Sequence, residues 1–260
     1  MNSHGFRYNK AKDIFPKFCG TDHISSAKPT VIIFYHAGGN ANQYRSLCSS
    51  DDIIFLPYEL PGRGLRRNEQ FAKGLFPLAE SICIDLLELF DGRVCFLYGH
   101  SLGALIAFSV AYLLEKKYNK FPNRLIVAAR HSPDVVRNEG YRCSQGQDAL
   151  LDELKRLEYM PEELLVSREF MELAMPIIYS DFALHENYSY NGEVINTPIS
   201  VWYGQNDDIS IDELKPWAAL TTRETTMRCF DGGHFFVFDN ADLVHNVFCE
   251  EILHAVTHKK

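Results

Sequence analysis

Short β-rich runs alternate with longer helical stretches along this sequence, and the alternation constrains the fold more than any other feature. The first run, Thr30 to Tyr35, is unbroken by any charged residue, as is typical of a parallel strand covered on both faces. Five further runs have strand character: residues 53–57, 94–98, 124–129, 199–203 and 225–230. Helical patterns fill most of the intervals. The sequence therefore predicts an α/β chain with a mostly parallel sheet and helices on both faces.

Three stretches have the apolar spacing of helices that pack against such a sheet. Leucine and isoleucine recur at intervals of three and four residues from Leu75 to Leu89. A second apolar stretch begins at Leu102 and extends to Glu115, and a third covers Val244 to Val256. The first two stretches lie between predicted strands, as the connections of a parallel sheet require, and the third closes the chain.

The interval between the fourth and fifth strands breaks the alternation. Residues 147–188 contain no convincing strand, and their apolar spacing predicts two or three short helices. We expect these helices over residues 148–157, 161–165 and 167–181, with Pro161 at a helix start and Pro176 at a kink. Roughly 40 residues is long for a connection within one sheet. We predict a single domain over residues 1–260 with a helical lid inserted at 147–188.

Composition limits the partners and the compartment. The formal net charge of −8 argues against a general nucleic-acid binder, because neutralising phosphates requires a basic face. The longest apolar stretch, residues 102–114, is shorter than the roughly 20 residues that span a bilayer, and residues 1–18 lack the apolar segment of a signal peptide. The seven cysteines are scattered without a C-x-x-C pair, which favours buried thiols in a reducing cytoplasm. We expect no metal, no cofactor and, without long heptads, a monomer.

The strongest chemical signal is the sequence from Gly99 to Gly103, Gly-His-Ser-Leu-Gly. It follows the third predicted strand directly and opens the helix that begins at Leu102. A strand, a sharp turn and a helix in this order are the setting of a nucleophile elbow, which presents Ser101 at the edge of the sheet. The alternative is a serine in an ordinary turn between strand and helix.

A serine becomes an effective nucleophile only beside a base, so the elbow predicts an acid and a histidine after later strands. His234 follows the sixth predicted strand, and Asp207 follows the fifth. We predict that His234 accepts the proton of Ser101 and that Asp207 orients the imidazole. Asp208 remains an alternative acid because it adjoins Asp207. Asp134, several residues beyond the fourth strand, is a poorer substitute.

Acyl transfer through a serine also needs two backbone N–H donors for the oxyanion. One donor is predicted at Leu102, the residue after the nucleophile. The other is expected in the loop after the first strand, from Tyr35 to Gly39, with Ala37 as the donor. This loop contains neither the G-x-G-x-x-G pattern nor the lysine of a phosphate-binding loop.

Several motifs together resemble those of the type II thioesterases, the stand-alone editing thioesterases of nonribosomal peptide and polyketide synthesis. The resemblance extends from about Thr30 to Phe248. The matching motifs are Phe34 to Gly39, Glu59 to Gly64, Gly99 to Ala104, Asp181-Phe182, Glu186 to Tyr188, Gly204 to Asp207 and Gly233 to Phe236. One departure is Ala128-Ala129-Arg130, where the family usually has a Ser-Gly-Arg-like run.

The resemblance implies an α/β-hydrolase fold with a helical lid and a Ser-His-Asp triad. It assigns the triad to Ser101, Asp207 and His234, and the oxyanion donors to Ala37 and Leu102. It also implies hydrolysis of acyl groups stalled on the phosphopantetheine arm of an acyl or peptidyl carrier protein. A medium-chain fatty acyl thioesterase or a general esterase on the same scaffold remains an alternative. A non-enzymatic binding module is a third hypothesis, against which the complete triad argues.

Two further sets of side chains are predicted to meet the partner or the substrate. Carrier proteins are generally acidic, so a chain with net charge −8 needs a local basic patch to bind one. Loops at the carboxyl edge of the sheet supply candidates for this patch: Arg63, Arg66, Arg67, Arg130, Arg137 and Arg142. The alternative for Arg63 is a structural role within its loop. In the predicted lid, Met171 and Met175 are candidates for the wall of the acyl site.

Overall fold

Six strands of the computed structural model form one parallel sheet. They are β1 (Thr30–Phe34), β2 (Ile54–Pro57), β3 (Cys95–His100), β4 (Arg124–Ala128), β5 (Ile199–Gly204) and β6 (Thr225–Phe230). Their order in the sheet is β2-β1-β3-β4-β5-β6, and every neighbouring pair is parallel. The structure describes residues 13–19, 28–90, 92–137, 143–156, 160 and 162–257. The predicted parallel α/β architecture is confirmed.

Helices connect the strands and follow the last one. The described residues contain α1 (Leu75–Leu86), α2 (Leu102–Tyr118), α3 (Gln147–Arg156), α4 (Glu162–Leu165), α5 (Arg168–Glu186), α6 (Ile211–Leu214), α7 (Phe236–Asp239) and α8 (Ala241–Thr257). The three predicted sheet-packing helices correspond to α1, α2 and α8. A 3₁₀ helix over Ala41–Cys48, which the apolar spacing did not predict, follows the loop after β1. None of the helices in the described part of the chain has the length and hydropathy needed to span a bilayer.

Helices cover both faces of the sheet. Tyr98 of β3 faces α8, because its ring lies 4.9 Å from that of Phe248. The next residue, Gly99, faces α2, since a Cβ atom there would lie 2.1 Å from the carbonyl oxygen of Gly103. Successive strand residues point to opposite faces, so these two contacts place α8 and α2 on opposite sides of the sheet. This explains why every residue of β3 is buried.

The helical insertion between β4 and β5 contains α3, α4 and α5. Helix α5 extends further than predicted, to Glu186, and Pro176 lies inside it. The predicted helix start at Pro161 lies outside the described residues. The insertion has an apolar cluster of its own, separate from the main core: Leu150, Leu154, Met171, Met175 and Ile178. The predicted role of residues 147–188 as a lid stays a prediction.

Candidate active site

Ser101 occupies the sharp turn between β3 and α2. Its backbone angles are φ 56° and ψ −115°, in a region that residues with a Cβ atom rarely adopt. The turn also requires close backbone contact, because a Cβ atom on Gly103 would lie 2.1 Å from the carbonyl oxygen of Phe34. The glycines of the motif thus allow β1, β3 and α2 to meet directly behind the serine.

The three predicted triad residues meet at the carboxyl edge of the sheet. His234 Nε2 lies 3.0 Å from Ser101 Oγ. On the other side of the same ring, Nδ1 lies 3.1 and 3.2 Å from the two carboxylate oxygens of Asp207. In this arrangement the Ser101 hydroxyl can donate to Nε2 while the Nδ1–H group donates to the carboxylate. The geometry is that required for removing a proton from a serine hydroxyl.

The structure distinguishes the two neighbouring acids after β5. The Asp207 side chain is 1% exposed and contacts His234, whereas the Asp208 side chain is 52% exposed and forms an ion pair with Arg137 at 3.7 Å. Burial alone would raise the pKa of Asp207, but hydrogen bonds from His234 and Asp208 and the nearby imidazole lower it below its ordinary value. Asp207 is therefore the acid positioned to stay ionised beside His234.

The loop after β1 is held in place by an acidic residue of α5. The backbone N–H of Gly38 donates to Asp181 Oδ2 at 2.7 Å, and Gly39 N–H donates to the carbonyl of His36 at 3.1 Å. Ala37 lies between His36, whose carbonyl accepts from Gly39, and Gly38, whose N–H donates to Asp181. Leu102 is the first residue of α2, where the N–H group has no carbonyl partner within the helix. Their roles as oxyanion donors stay predictions.

Asp181 also forms a buried ion pair with Arg63. Both guanidinium Nη atoms donate to its two carboxylate oxygens at 2.6 Å, and Nη1 also donates to the carbonyl of Gly39 at 3.2 Å. Burial would lower the pKa of Arg63, but the charge and hydrogen bonds of Asp181 raise it above its ordinary value. The pair connects α5, the loop after β1 and the loop after β2.

Replacing Asp181 with asparagine should destabilise the protein strongly. Removing one charge of a buried pair leaves the other uncompensated, which costs about 3–5 kcal/mol of unfolding free energy. Urea denaturation followed by circular dichroism measures the loss. Glu172→Gln is the matched control, because Glu172 lies on the same helix in an exposed pair with Arg168. Equal urea midpoints for both variants would contradict a structural role for the buried pair.

The predicted basic patch needs correction. Arg63 is buried against Asp181, so it cannot present its guanidinium to a partner. Arg66 donates to both carboxylate oxygens of Glu69 at 2.7 and 2.6 Å and to Tyr58 Oη at 3.0 Å. Among the predicted set, Arg67 is exposed.

The arginines after β4 are also engaged within the chain. Arg130 forms a hydrogen bond with His185, and Arg137 forms an ion pair with Glu213 at 2.7 Å. Arg142 lies outside the described residues. Four of the six predicted arginines are thus engaged within the chain, three of them by residues from distant segments.

The two candidate methionines pack within the helical insertion. Met171 and Met175 lie on α5 and are buried in the cluster formed with Leu150, Leu154 and Ile178. Their side chains therefore stabilise the contact between α3 and α5. Their predicted role in the wall of the acyl site stays a prediction.

A mixed polar and aromatic cavity opens beside β4. Its volume is about 370 Å³. It lies between the loop after β4 and the end of α5, and its lining includes Arg130, His131, Asp134, Phe182, His185 and Tyr188. The end of β4 adjoins the elbow, because Ser101 N–H donates to the carbonyl of Ala128 at 2.9 Å. Asp134, the third candidate acid, lies in the lining of this cavity and not beside His234.

Within the described ranges, no three His, Cys, Asp or Glu side chains converge as metal ligands.

Ala129 follows β4 with φ 48°, in the left-handed region that favours glycine. At this position the sequence departs from the Ser-Gly-Arg-like run that is usual in type II thioesterases. The chain holds this conformation with a hydrogen bond from Ala129 N–H to the carbonyl of Trp202 at 2.9 Å. A strained alanine therefore lies between the end of β4 and the polar cavity.

A cluster of aromatic and imidazole rings, which the sequence did not predict, lies behind Ser101 and His234. The rings of His36 and His100 lie 5.5 Å apart, and those of His100 and His234 are also 5.5 Å apart. The hydroxyl oxygen of Tyr44, a residue of the unpredicted 3₁₀ helix, lies 2.9 Å from His100 Nδ1. His36 and His100 lie inside the motifs Phe34 to Gly39 and Gly99 to Gly103 but were not predicted as triad residues, and Tyr44 had no sequence signal.

Comparison with known proteins agrees with this fold. The parallel sheet has the α/β-hydrolase fold of its solved structural neighbours, among them the type II thioesterase BorB from the borrelidin biosynthetic cluster. BorB superposes with a TM-score of 0.78 at 28% identity, over 87% of this chain and 94% of BorB. The family model for the thioesterase domain matches residues 29–253. The chain belongs to the thioesterase domain family.

Two curated relatives come from antibiotic biosynthesis. The gramicidin S biosynthesis protein GrsT of Aneurinibacillus migulanus is 29% identical over 240 residues, which cover 90% of this chain and 93% of GrsT. A probable cadicidin biosynthesis thioesterase of Streptomyces griseus is 30% identical over 228 residues, and the match covers 85% of this chain but only 62% of that protein. The resemblance to type II thioesterases drawn from the motifs is confirmed.

Proposed function

We propose that this thioesterase releases acyl or aminoacyl groups from the phosphopantetheine arm of carrier proteins, and so clears stalled synthetases of nonribosomal peptide or polyketide pathways. The main support is the contact of Ser101 Oγ with His234 Nε2 at 3.0 Å, with Asp207 bonded to the opposite ring nitrogen. The similarity to GrsT and to BorB, whose names place them in biosynthesis of this kind, supports the substrate class.

The first step forms an acyl-enzyme. Ser101 Oγ attacks the thioester carbonyl carbon while His234 Nε2 takes the hydroxyl proton. The carbonyl oxygen becomes an oxyanion, for which the N–H groups of Ala37 and Leu102 are the proposed donors. The carbon–sulfur bond then breaks, and His234 returns the proton to the departing pantetheine sulfur. Asp207 keeps Nδ1 protonated and stabilises the imidazolium between the two proton transfers.

The second step releases the acid. Water enters beside His234 after the carrier thiol has left, and Nε2 takes a proton from this water as its oxygen attacks the ester carbon. The same oxyanion donors serve again. The bond from carbon to Ser101 Oγ breaks, the proton returns to the serine, and the free carboxylic acid leaves. This sequence regenerates both the enzyme and the carrier thiol.

A panel of substrates with one shared acyl group tests the proposal. The acyl carrier protein, the acyl-coenzyme A and a p-nitrophenyl ester present the same carbonyl with and without the carrier. We expect the highest kcat/KM for the carrier substrate, with free carrier and acid detected by intact-mass spectrometry. Preference for coenzyme A thioesters with a medium chain would favour the fatty acyl alternative. Failure of a fluorophosphonate to label Ser101 would favour the binding module.

Arg67 is the remaining candidate for recognition of an acidic carrier. It lies in the loop after β2, at the carboxyl edge of the sheet, and is exposed. Arg67→Glu should raise KM for the acyl carrier protein by about three- to fivefold, with p-nitrophenyl ester kinetics unchanged. The effect should diminish at 1 M salt, where the screening length falls to about 3 Å.

Arg223→Glu is the matched control for this charge reversal. Arg223 is exposed but precedes β6, at the opposite edge of the sheet. Its replacement should leave KM for the carrier near the wild-type value. An equal rise of KM in both variants would mean that net charge alone causes the effect. An unchanged KM in the Arg67 variant would mean that Arg67 does not contact the carrier.

The compartment and the oligomeric state also belong to the proposal. All seven cysteines are free thiols, and three of them are buried. Seven free thiols are compatible with a reducing environment, so we propose that the reaction takes place in the cytoplasm. The predicted monomer stays a prediction, which size-exclusion chromatography with light scattering would test.

A further inference from the structure

His100 connects the nucleophile elbow to the loop that carries His234. It is the last residue of β3, immediately before Ser101, and its ring nitrogen Nε2 lies 2.8 Å from the backbone carbonyl oxygen of His234. A carbonyl oxygen only accepts hydrogen bonds, so the Nε2–H group must donate. The contact holds the backbone of the catalytic base and leaves its imidazole free for Ser101 and Asp207.

The opposite nitrogen of His100 has a partner that suits a proton on Nε2. Tyr44 Oη lies 2.9 Å from His100 Nδ1. In a neutral imidazole with the proton on Nε2, Nδ1 is an acceptor, so the tyrosine hydroxyl donates to it. Tyr44, whose hydroxyl also lies 3.4 Å from His36 Nδ1, thereby stabilises the tautomer that the His234 carbonyl requires.

The surroundings keep His100 uncharged. Its side chain is fully buried, and burial together with the nearby His234 lowers its pKa to about 3. The aromatic rings of Phe235, Phe236 and Phe238 lie within 6.4 Å of its ring centre. His36, the other titratable ring against it, has a pKa held well below the ordinary value by burial. His100 is therefore a neutral donor with one available proton at neutral pH.

The loop that carries His234 needs such support. His234 follows Gly232, whose φ is 105°, and Gly233, so two adjacent residues have little intrinsic backbone preference. The carbonyl of Gly232 accepts from Asn206 N–H at 2.9 Å, which anchors the loop before the histidine. The hydrogen bond from His100 anchors it at the histidine itself. Small displacements of a catalytic group can lower the rate on the order of 10²-fold.

We infer that His100 is a positioning residue that fixes the backbone of His234, with Tyr44 holding His100 in the required tautomer. This inference rests on the proposed role of His234 as the base. It adds to that role a direct hydrogen bond: His100, the residue before Ser101, holds the backbone of His234, the residue that deprotonates Ser101. His100 touches neither substrate nor the transferred proton.

Four variants test the link. His100→Leu removes the donor, while His100→Gln keeps an N–H group for the His234 carbonyl and an oxygen that can accept from Tyr44. Tyr44→Phe removes the hydroxyl alone. Tyr98→Phe is the matched control, because Tyr98 is also buried, its ring lies 6.3 Å from that of Tyr44, and its hydroxyl has no hydrogen-bond partner in the described structure.

We expect His100→Leu to lower kcat on the order of 10²-fold with KM within about twofold of wild type, since substrate contacts are untouched. His100→Gln should recover about tenfold of that loss, as one restored hydrogen bond allows. Tyr44→Phe should lower kcat about three- to tenfold, and Tyr98→Phe should match wild type. All assays are run well below each variant's unfolding midpoint.

Proton NMR supplies a readout that a purely structural role would not change in folded protein. The low-field resonance of the His234 Nδ1–H group bonded to Asp207 should shift or broaden in His100→Leu and return in His100→Gln. Wild-type kcat and an unchanged resonance in His100→Leu would overturn the inference, as would equal kcat for the Leu and Gln variants. If His100→Leu does not fold, Tyr44→Phe decides, and wild-type kcat there overturns it.

Ser101→Ala, assayed beside these variants, separates this inference from the proposed function. An active Ser101→Ala variant would refute the serine mechanism and with it the inference. An inactive Ser101→Ala variant beside a fully active His100→Leu variant would refute the positioning role alone.

Discussion

Replacing Ser101 with alanine should lower kcat for acyl carrier hydrolysis by about 10⁴-fold or more, with little change in the urea unfolding midpoint. The substitution removes the oxygen that lies 3.0 Å from His234 Nε2, and with it the atom that would form the acyl-enzyme. Binding of the carrier should persist, because the substitution removes one hydroxyl group and changes no other side chain at the carboxyl edge. Steady-state kinetics with the acyl carrier and titration of binding with the free carrier measure the two effects separately.

Ser109→Ala is the matched control for this variant. Ser109 lies on α2, is buried, and has a hydroxyl without a hydrogen-bond partner in the described structure. Its removal should leave kcat unchanged. Intact-mass spectrometry should detect a fluorophosphonate adduct in the wild type and in Ser109→Ala but not in Ser101→Ala. An adduct that survives in Ser101→Ala would show that the nucleophile lies elsewhere.

Much of the fold could be predicted because its periodicities are strong. The run from Thr30 to Tyr35 has the composition of a strand buried on both faces, and the structure buries β1 completely. The short elements gave no such signal. The 3₁₀ helix Ala41–Cys48 has too few residues for its apolar spacing to be distinguished from a loop, although it carries Tyr44 to the site.

The residues after strands could also be predicted, because a parallel sheet gathers them at one edge. That rule brings Ser101, Asp207 and His234 together from three distant segments. It could not choose between Asp207 and Asp208, since adjacent residues share the same loop. Burial makes the distinction: one carboxylate is enclosed beside His234, and the other is exposed beside Arg137.

The predicted arginine patch needs correction at Arg63 for a related reason. Loop position indicated which guanidinium groups lie near the edge, but the ion-pair partners of two of them are remote in sequence. Arg63 is paired with Asp181, more than a hundred residues away, and Arg137 with Glu213. Arg66 has its partner only three residues away, at Glu69, but no sequence pattern reveals the geometry of that turn. Charge counted along loops therefore overestimated the charge available to a partner.

The second large effect is expected from the acids after β5. Asp207→Asn should lower kcat by about 10³- to 10⁴-fold, since an amide can donate to His234 Nδ1 and so stabilise the tautomer with its proton on Nε2. In that tautomer Nε2 cannot accept the Ser101 proton. Asp208→Asn should remain near wild type, because its exposed side chain contacts Arg137 and not the imidazole. The two variants change the same functional group at adjacent positions, so kcat values on one acyl carrier compare them directly.

Combining Asp207→Asn with Ser101→Ala separates a shared mechanism from two independent defects. If both residues act on one proton transfer, the double variant should be no slower than Ser101→Ala alone, because the aspartate has no function once the serine oxygen is gone. Multiplied losses would instead mean that Asp207 contributes outside the triad, for example to the stability of the loop after β5. An inactive Asp208→Asn variant together with an active Asp207→Asn variant would mean that Asp208, and not Asp207, is the acid of the triad.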